Sequence, residues 1–216
     1  MKLVLFGANG QVAQRIAREA LNRGHAVVGV VRNAGSVRSD NERMTIVEGD
    51  AIDPTSIANV STGADVIISA LSPRPSPSGR PATSLSRAAR ALIAGAARAG
   101  VPRLIAVGGA GTLEVRPGLR LVDSPGFPEE YKPEALDHAD ALAAYRSDAG
   151  GLDWTFISPA AQIGPGTRTG SYRSGDDALL VDEKGKSFIS FEDYAKAVID
   201  EVEQPTHPRA RMTVAY

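Results

Sequence analysis

Residues Lys2 to Ala13, K-L-V-L-F-G-A-N-G-Q-V-A, constrain the fold more than any other stretch of the chain. Lys2–Phe6 is almost wholly apolar, as a strand covered on both faces must be. From Val12 the period changes. Val12, Ile16 and Ala20 lie four apart, as do Ala13, Ala17 and Leu21. That spacing aligns them on one helical face, and Gly24 stands where a glycine ends a helix. A buried strand that turns at once into a helix belongs to a parallel sheet with helices on both faces.

The turn itself has the spacing G-x-x-G-x-x-A, at Gly7, Gly10 and Ala13. Gly7 permits the tight turn, Gly10 clears the way for a phosphate to reach the backbone, and Ala13 lets the helix lie close to the sheet. Open N–H groups and the positive end of the helix dipole then face one pocket, which suits a pyrophosphate. Dinucleotide binding by Gly7, Ala8, Asn9, Gly10, Gln11 and Val12 is therefore expected, because the glycines follow a strand and open a helix. A βα turn without a ligand is the competing reading.

Ala26–Arg32 forms a second apolar strand and completes a βαβ unit of about thirty residues, the length this fingerprint needs. NAD-binding versions end that strand on an acidic residue that takes the ribose 2′-OH. Here Arg32 and Asn33 hold the place, and no acidic residue occurs between Glu19 and Asp40. A guanidinium there pairs with a 2′-phosphate, so NADPH is expected over NADH. A solvated arginine at a strand end is the plainer alternative.

The alternation continues. Met44–Asp50 reads as strand three, with Asp50 and Ala51 beside the adenine; Asp50 serves either there or as a turn residue. Asp53 and Pro54 start a helix as N-cap and first helical residue. Ala64–Leu71 is strand four, whose end at Ser69, Ala70 and Leu71 borders the ribose and nicotinamide, since ligands sit beyond the carboxyl ends of such strands. Ser72–Pro81, S-P-R-P-S-P-S-G-R-P, reads as a mobile loop over the site, with Arg74 and Arg80 in reach of a phosphate or an acidic substrate. Thr83–Ala99 is an alanine-rich helix closed by Gly100, and Arg103–Val107 is strand five, running into Gly108-Gly109-Ala110-Gly111.

Thr112–Pro133 carries four prolines and no clear element, and a loop that long inside one domain is usually functional. Pro133–Asp148 is a helix bearing His138 and Tyr145, and Leu152–Ile157 is strand six, followed by Pro159 and Ala160. Leu179–Val181 and Ser187–Ile189 around Asp182–Gly185 suggest a hairpin. Ser190–Asp193 resembles a capping box for a helix to about Glu203, and Met212–Ala215 is a final strand. The expected class is a single-domain α/β protein spanning 1–216, a three-layer doubly wound parallel sheet, with pocket elements from about 112–135 and 160–190.

Net charge is -1, so nothing advertises nucleic acid or an anionic membrane. The chain lacks cysteine, which excludes disulfides and thiolate chemistry. No apolar run approaches the ~20 residues that span a bilayer, and the first strand has no signal-peptide character. A cytoplasmic chain, monomer or homodimer, is the expectation. Three scattered histidines argue against a metal site.

G-A-N-G-Q-V-A, V-V-R-N, G-D-A-x-D-P, G-G-A-G, E-Y-K-P-E-A-L-D-H-A-D-A-L, L-D-W-T-F-I-S-P-A and I-S-F-E-D-Y-A-K-A occur together in this order. The chain thereby resembles the atypical short-chain dehydrogenase/reductases of the NADH-flavin reductase kind, near the biliverdin reductase B and NmrA-like groups. The resemblance covers essentially the whole length. It implies a Rossmann fold with strand order 3-2-1-4-5-6 and a cofactor edge that also includes Gly108, Gly109, Pro159 and Ala160.

Ordinary members of the wider superfamily use Tyr-x-x-x-Lys. Here the residues four after Tyr131, Tyr145, Tyr172 and Tyr194 are Ala135, Ala149, Asp176 and Val198. An acceptor that needs little acid catalysis fits better: flavins (FMN or FAD) and quinones take a hydride directly, so the protein's task is positioning. His138 is the candidate helper, as donor or general acid near neutrality, with an exposed helix histidine as the competing reading. Tyr131 and Lys132 either line the substrate pocket or sit in a loop, and His25 and His207 read as structural. An NmrA-like redox sensor without turnover and, less favoured, an epimerase-like isomerase are the alternative functions.

Overall fold

The computed structural model describes residues 1–36, 41–73 and 84–216. Its frame is a run of strands whose side chains alternate between two cores. In β1 (Lys2–Phe6), Leu3 and Leu5 enter one core while Val4 and Phe6 enter the other. β2 (Ala26–Val31), β3 (Met44–Glu48), β4 (Val66–Ser69) and β5 (Arg103–Val107) continue the same parallel sheet. A strand apolar on both faces is stable only when both faces are covered. Helices α1 (Gln11–Asn22) and α5 (Phe191–Glu203) cover the Leu3 side. On the other side, α2 (Pro54–Ser61), α3 (Leu85–Ala99) and α4 (Lys132–Asp148) bury residues such as Ile57, Leu92 and Tyr145.

Beyond β5 the sheet adds β8 (Asp153–Ser158) and β12 (Ala210–Ala215), both parallel, and closes on β10 (Arg173–Gly175), which is antiparallel to β12. The order β10-β12-β8-β5-β4-β1-β2-β3 contains the expected 3-2-1-4-5-6 and extends it by two strands. This is the doubly wound α/β sheet anticipated above, in one Rossmann-like domain. β1 and β4 run parallel, but the order in which strands are added reverses between them, and there the carboxyl ends of the strands form a crevice.

The helix signals hold where they are local. Asp53 accepts a hydrogen bond from Thr55 N–H at 2.9 Å, with Pro54 behind it. Ser190 accepts from Asp193 N–H at 3.0 Å, but the Asp193 carboxylate binds Thr169, Gly170 and Tyr216, so only half of the capping box forms. α3 starts at Leu85 with Ser84 as its cap; Thr83 lies outside the described residues, as do Arg74, Arg80 and most of Ser72–Pro81.

The hairpin expected from Leu179–Ile189 is corrected. The turn exists, with Asp182 N–H bonded to the Lys186 carbonyl, but its arms do not pair. Leu179 N–H donates to the Glu114 carbonyl, and β11 (Phe188–Ser190) lies parallel to β9 (Gln162–Gly164). Long-range partners take the backbone groups that a hairpin would have used. Within 112–133, β6 (Glu114–Arg116) and β7 (Leu119–Arg120) form a small antiparallel pair.

Candidate functional site

The turn after β1 is built as its spacing requires. Gly7 has φ +79°, and a Cβ there would stand 2.6 Å from the Ala70 carbonyl oxygen at the end of β4. Two constraints thus exclude a side chain: the left-handed backbone and the close pass of the neighbouring strand. Gly7 and Ala8 N–H both donate to the Val30 carbonyl, and Gly10 N–H donates to the Gly7 carbonyl. The loop is therefore held rigid by its own amides.

Helix α1 then begins at Gly10 with no side-chain cap and no acidic residue in its first turn, whereas Asp53, Ser84 and Ser190 cap α2, α3 and α5. The first amides of a helix lack intrahelical partners and need an acceptor. An uncapped start at Gln11 and Val12, opening on the β1/β4 crevice, fits the phosphates of a dinucleotide.

The other expected contacts come from the same edge of the sheet. Arg32 and Asn33 follow β2, Asp50 and Ala51 follow β3, Ser69, Ala70 and Leu71 end β4, Gly108 and Gly109 follow β5, and Pro159 and Ala160 follow β8. Among the described residues Arg32 is exposed and ion-paired to none. Asp50 is tied into its turn: its carboxylate accepts from Ile52 N–H at 3.0 Å, and its N–H donates to Ser56 Oγ at 2.9 Å. Reading along β2 alone missed Glu48. In register it faces Val31, and its carboxylate accepts from Ala34 N–H at 3.0 Å, just past Arg32.

Gly108 and Gly109 serve packing as well as the edge. A Cβ on Gly108 would lie 2.2 Å from Phe156, and one on Gly109 2.9 Å from the His138 ring. Gly108 lets Phe156 of β8 lie across the end of β5, and Gly109 lets α4 settle there and carry His138 inward. The imidazole is only 6% exposed and meets Phe156 edge-on, with ring centroids 6.4 Å apart. The exposed-histidine alternative is thus corrected, and so is a pKa near neutrality. Burial pushes His138 down to about 4, because a charged ring loses its hydration there. At neutral pH it is a neutral imidazole, a hydrogen-bonding group rather than a ready acid.

Tyr145, one helical turn beyond Ala141 and two beyond His138, lines the same small cavity, together with Ser69 and Phe156. Its spacing of seven from His138 was the available signal, since such residues share a helical face. Tyr131 is 57% exposed, and Lys132 is ion-paired with Glu129. Neither belongs to the lining of that cavity. His25 bonds Glu203 and His207 bonds Thr206, both away from this edge, in structural networks.

Known proteins align with this arrangement. A family model described as NAD(P)H-binding matches residues 7–205. The uncharacterised protein YwnB of Bacillus subtilis (strain 168) is 40% identical over 217 residues, covering 99% of this chain and 98% of its own. A Burkholderia pseudomallei structure, named as a candidate exported protein, is 47% identical with a TM-score of 0.89, and each chain is covered in full (100% and 100%). A candidate NADH-flavin reductase from Streptococcus pneumoniae is 34% identical with a TM-score of 0.86, covering 100% of this chain and 99% of that one. No helix among the described residues is long and apolar enough to cross a membrane. The glycine turn, the uncapped α1 and a match that runs through nearly the whole length agree with the resemblance read from the motifs: the chain belongs to the NAD(P)H-binding family.

Proposed function

We propose that the chain is an NADPH-dependent reductase, working in the cytoplasm, that passes a hydride to a flavin, a quinone or a similar flat acceptor. The observation that carries this reading is the pairing of an uncapped phosphate-binding turn with a neutral, buried His138 in place of a Tyr-x-x-x-Lys site. The S. pneumoniae relative, named as a candidate NADH-flavin reductase, supports the flavin acceptor, while the preference for NADPH rests on Arg32. When bound, the reduced nicotinamide supplies the hydride. The chain's own residues hold the cofactor: the amides of Gln11 and Val12 take its phosphates, and Arg32 takes the 2′-phosphate. Ser69, Ala70 and Leu71 border its nicotinamide half, and the 112–135 and 160–190 segments shape the acceptor side. A hydride acceptor of this kind draws its proton from solvent, so a side chain charged at neutral pH is not needed.

The test is titration with NADPH and NADH, then reduced-nicotinamide absorbance with FMN or menadione added. The expected result is tighter NADPH binding and acceptor-dependent oxidation. Arg32→Glu then weakens NADPH on the order of tenfold to a hundredfold, the equivalent of a lost charge-assisted hydrogen bond of roughly 1.5–3 kcal/mol. Binding without oxidation would refute the reductase and leave a nucleotide sensor. Binding of neither nucleotide would refute the reading of the turn.

A further inference from the structure

His138 is enclosed more completely than a surface helper would be. α4 lays His138, Ala141 and Tyr145 along one face against Phe156 of β8, and β4 brings Ser69 to the same place. They surround a cavity of about 10 Å³. That is close to the smallest space that holds a single water, about 10–15 Å³.

The rest of the lining is hydrocarbon, from residues such as Leu71, Leu85 and Val107. One lining residue carries an orphan: His138 Nδ1 is buried and has no hydrogen-bond partner among the described residues. Buried polar atoms are rarely left so. A buried water makes about three hydrogen bonds, and three lining side chains offer them: His138, Ser69 and Tyr145.

We propose that this cavity is a built site for one ordered water, which bridges His138 Nδ1, Ser69 and Tyr145 and fixes the imidazole as its Nε2–H tautomer. Tyr145 stays protonated, because burial holds its phenol far above its ordinary range, and its O–H donates to the water. The water in turn donates to Nδ1, so the ring proton remains on Nε2. That nitrogen lies on the Glu134 side, 4.0 Å from the Glu134 carboxylate. Glu134 stands one turn nearer the start of α4, and α4 starts at the carboxyl edge of the sheet because it returns from β5 to begin β8. The result is a single neutral N–H donor facing the cofactor edge. Its use as a donor to an acceptor oxygen rests on the function proposed above; the water and the tautomer do not. Ser69 and Tyr145 are positioning residues, acting through the water and the ring.

The experiment is long-range ¹H–¹⁵N correlation on histidine-labelled protein without nucleotide, together with a high-resolution crystal structure of the same protein. The expected result is His138 in the Nε2–H form, with density for one water within hydrogen-bond distance of Nδ1. Tyr145→Phe removes the donor that orients the water and should convert the signal to a tautomer mixture, with NADPH affinity unchanged. A dry cavity, an Nδ1–H tautomer in the unmodified protein, or a Tyr145→Phe signal identical to the parent would overturn the proposal. The first two outcomes need no variant to fold. Acceptor-dependent NADPH oxidation, measured on the same sample, tests the function independently of the water.

Discussion

Acidification should cost the parent protein more stability than it costs a His138→Gln variant, by an amount set by the surroundings of the ring. Burial brings the His138 pKa from its ordinary 6.5 to about 4 in the folded chain, and unfolding restores the ordinary value. Between those values the unfolded state binds more protons than the folded one. Stability therefore rises with pH across this window and is lost as pH falls through it. Above about 6.5 the ring is neutral in both states, and below about 4 it is charged in both, so the slope vanishes outside. At about 1.4 kcal/mol per pH unit, the full span is worth about 3 kcal/mol. Urea unfolding of both proteins, followed through buried Trp154 from about pH 7.5 to about pH 4, isolates this contribution, because titrations common to both cancel in the difference. Glu134 is the group that could fail to cancel, being 4.0 Å from the ring and itself raised by burial. Repeating the pair on a Glu134→Gln background removes it. A difference that changes by less than about 1 kcal/mol over the window would refute the reasoning, since the ring would then be hydrated in the folded state.

Two further outcomes follow from packing. Gly109→Ala drives a Cβ to 2.9 Å from the His138 ring and should cost about 1–3 kcal/mol in urea unfolding, while shifting the His138 ¹⁵N signals as the ring is displaced. Unchanged His138 signals would mean that the backbone absorbs the clash and that the glycine does not place the ring. At the opposite end of the sheet, Arg103 and Glu201 form an ion pair at 2.7 Å with side-chain exposures of 8% and 1%, and Glu201 also accepts from Thr206 and His207. Glu201→Ala leaves the guanidinium buried without its partner and should cost roughly 3–5 kcal/mol by thermal or denaturant unfolding, with a loss under about 1 kcal/mol counting against a desolvated pair.

The parts of the fold that could be read from sequence are those specified by neighbours along the chain. The change of period at Val12, the cap at Asp53 and the glycine after α1 each act within a few residues, and each is in place. Signals that depend on a distant partner were not legible in this way. Phe188–Ser190 has the pattern of a strand, but nothing in it names Gln162–Gly164 as the strand it pairs with. Glu48 became a neighbour of the Arg32 loop only through the pairing of β2 with β3.

The G-G-A-G run shows the same limit at the site itself. After a strand in such a sheet, glycines serve a ligand that approaches the backbone or a helix that packs against it, and the spelling is identical for both. The atoms a side chain would strike distinguish the two. At Gly7 the obstacle is the Ala70 carbonyl, the floor of the crevice; at Gly108, Gly109 and Gly111 it is Phe156, His138 and Ala135. Gly109 and Gly111 therefore set how deeply α4 seats, and Gly108 how closely Phe156 of β8 approaches, and with both the burial that keeps His138 neutral. Substitutions there should alter the chemistry of the imidazole before they alter the hold on a nucleotide phosphate, which the function proposed above assigns to Gly7 and the open start of α1.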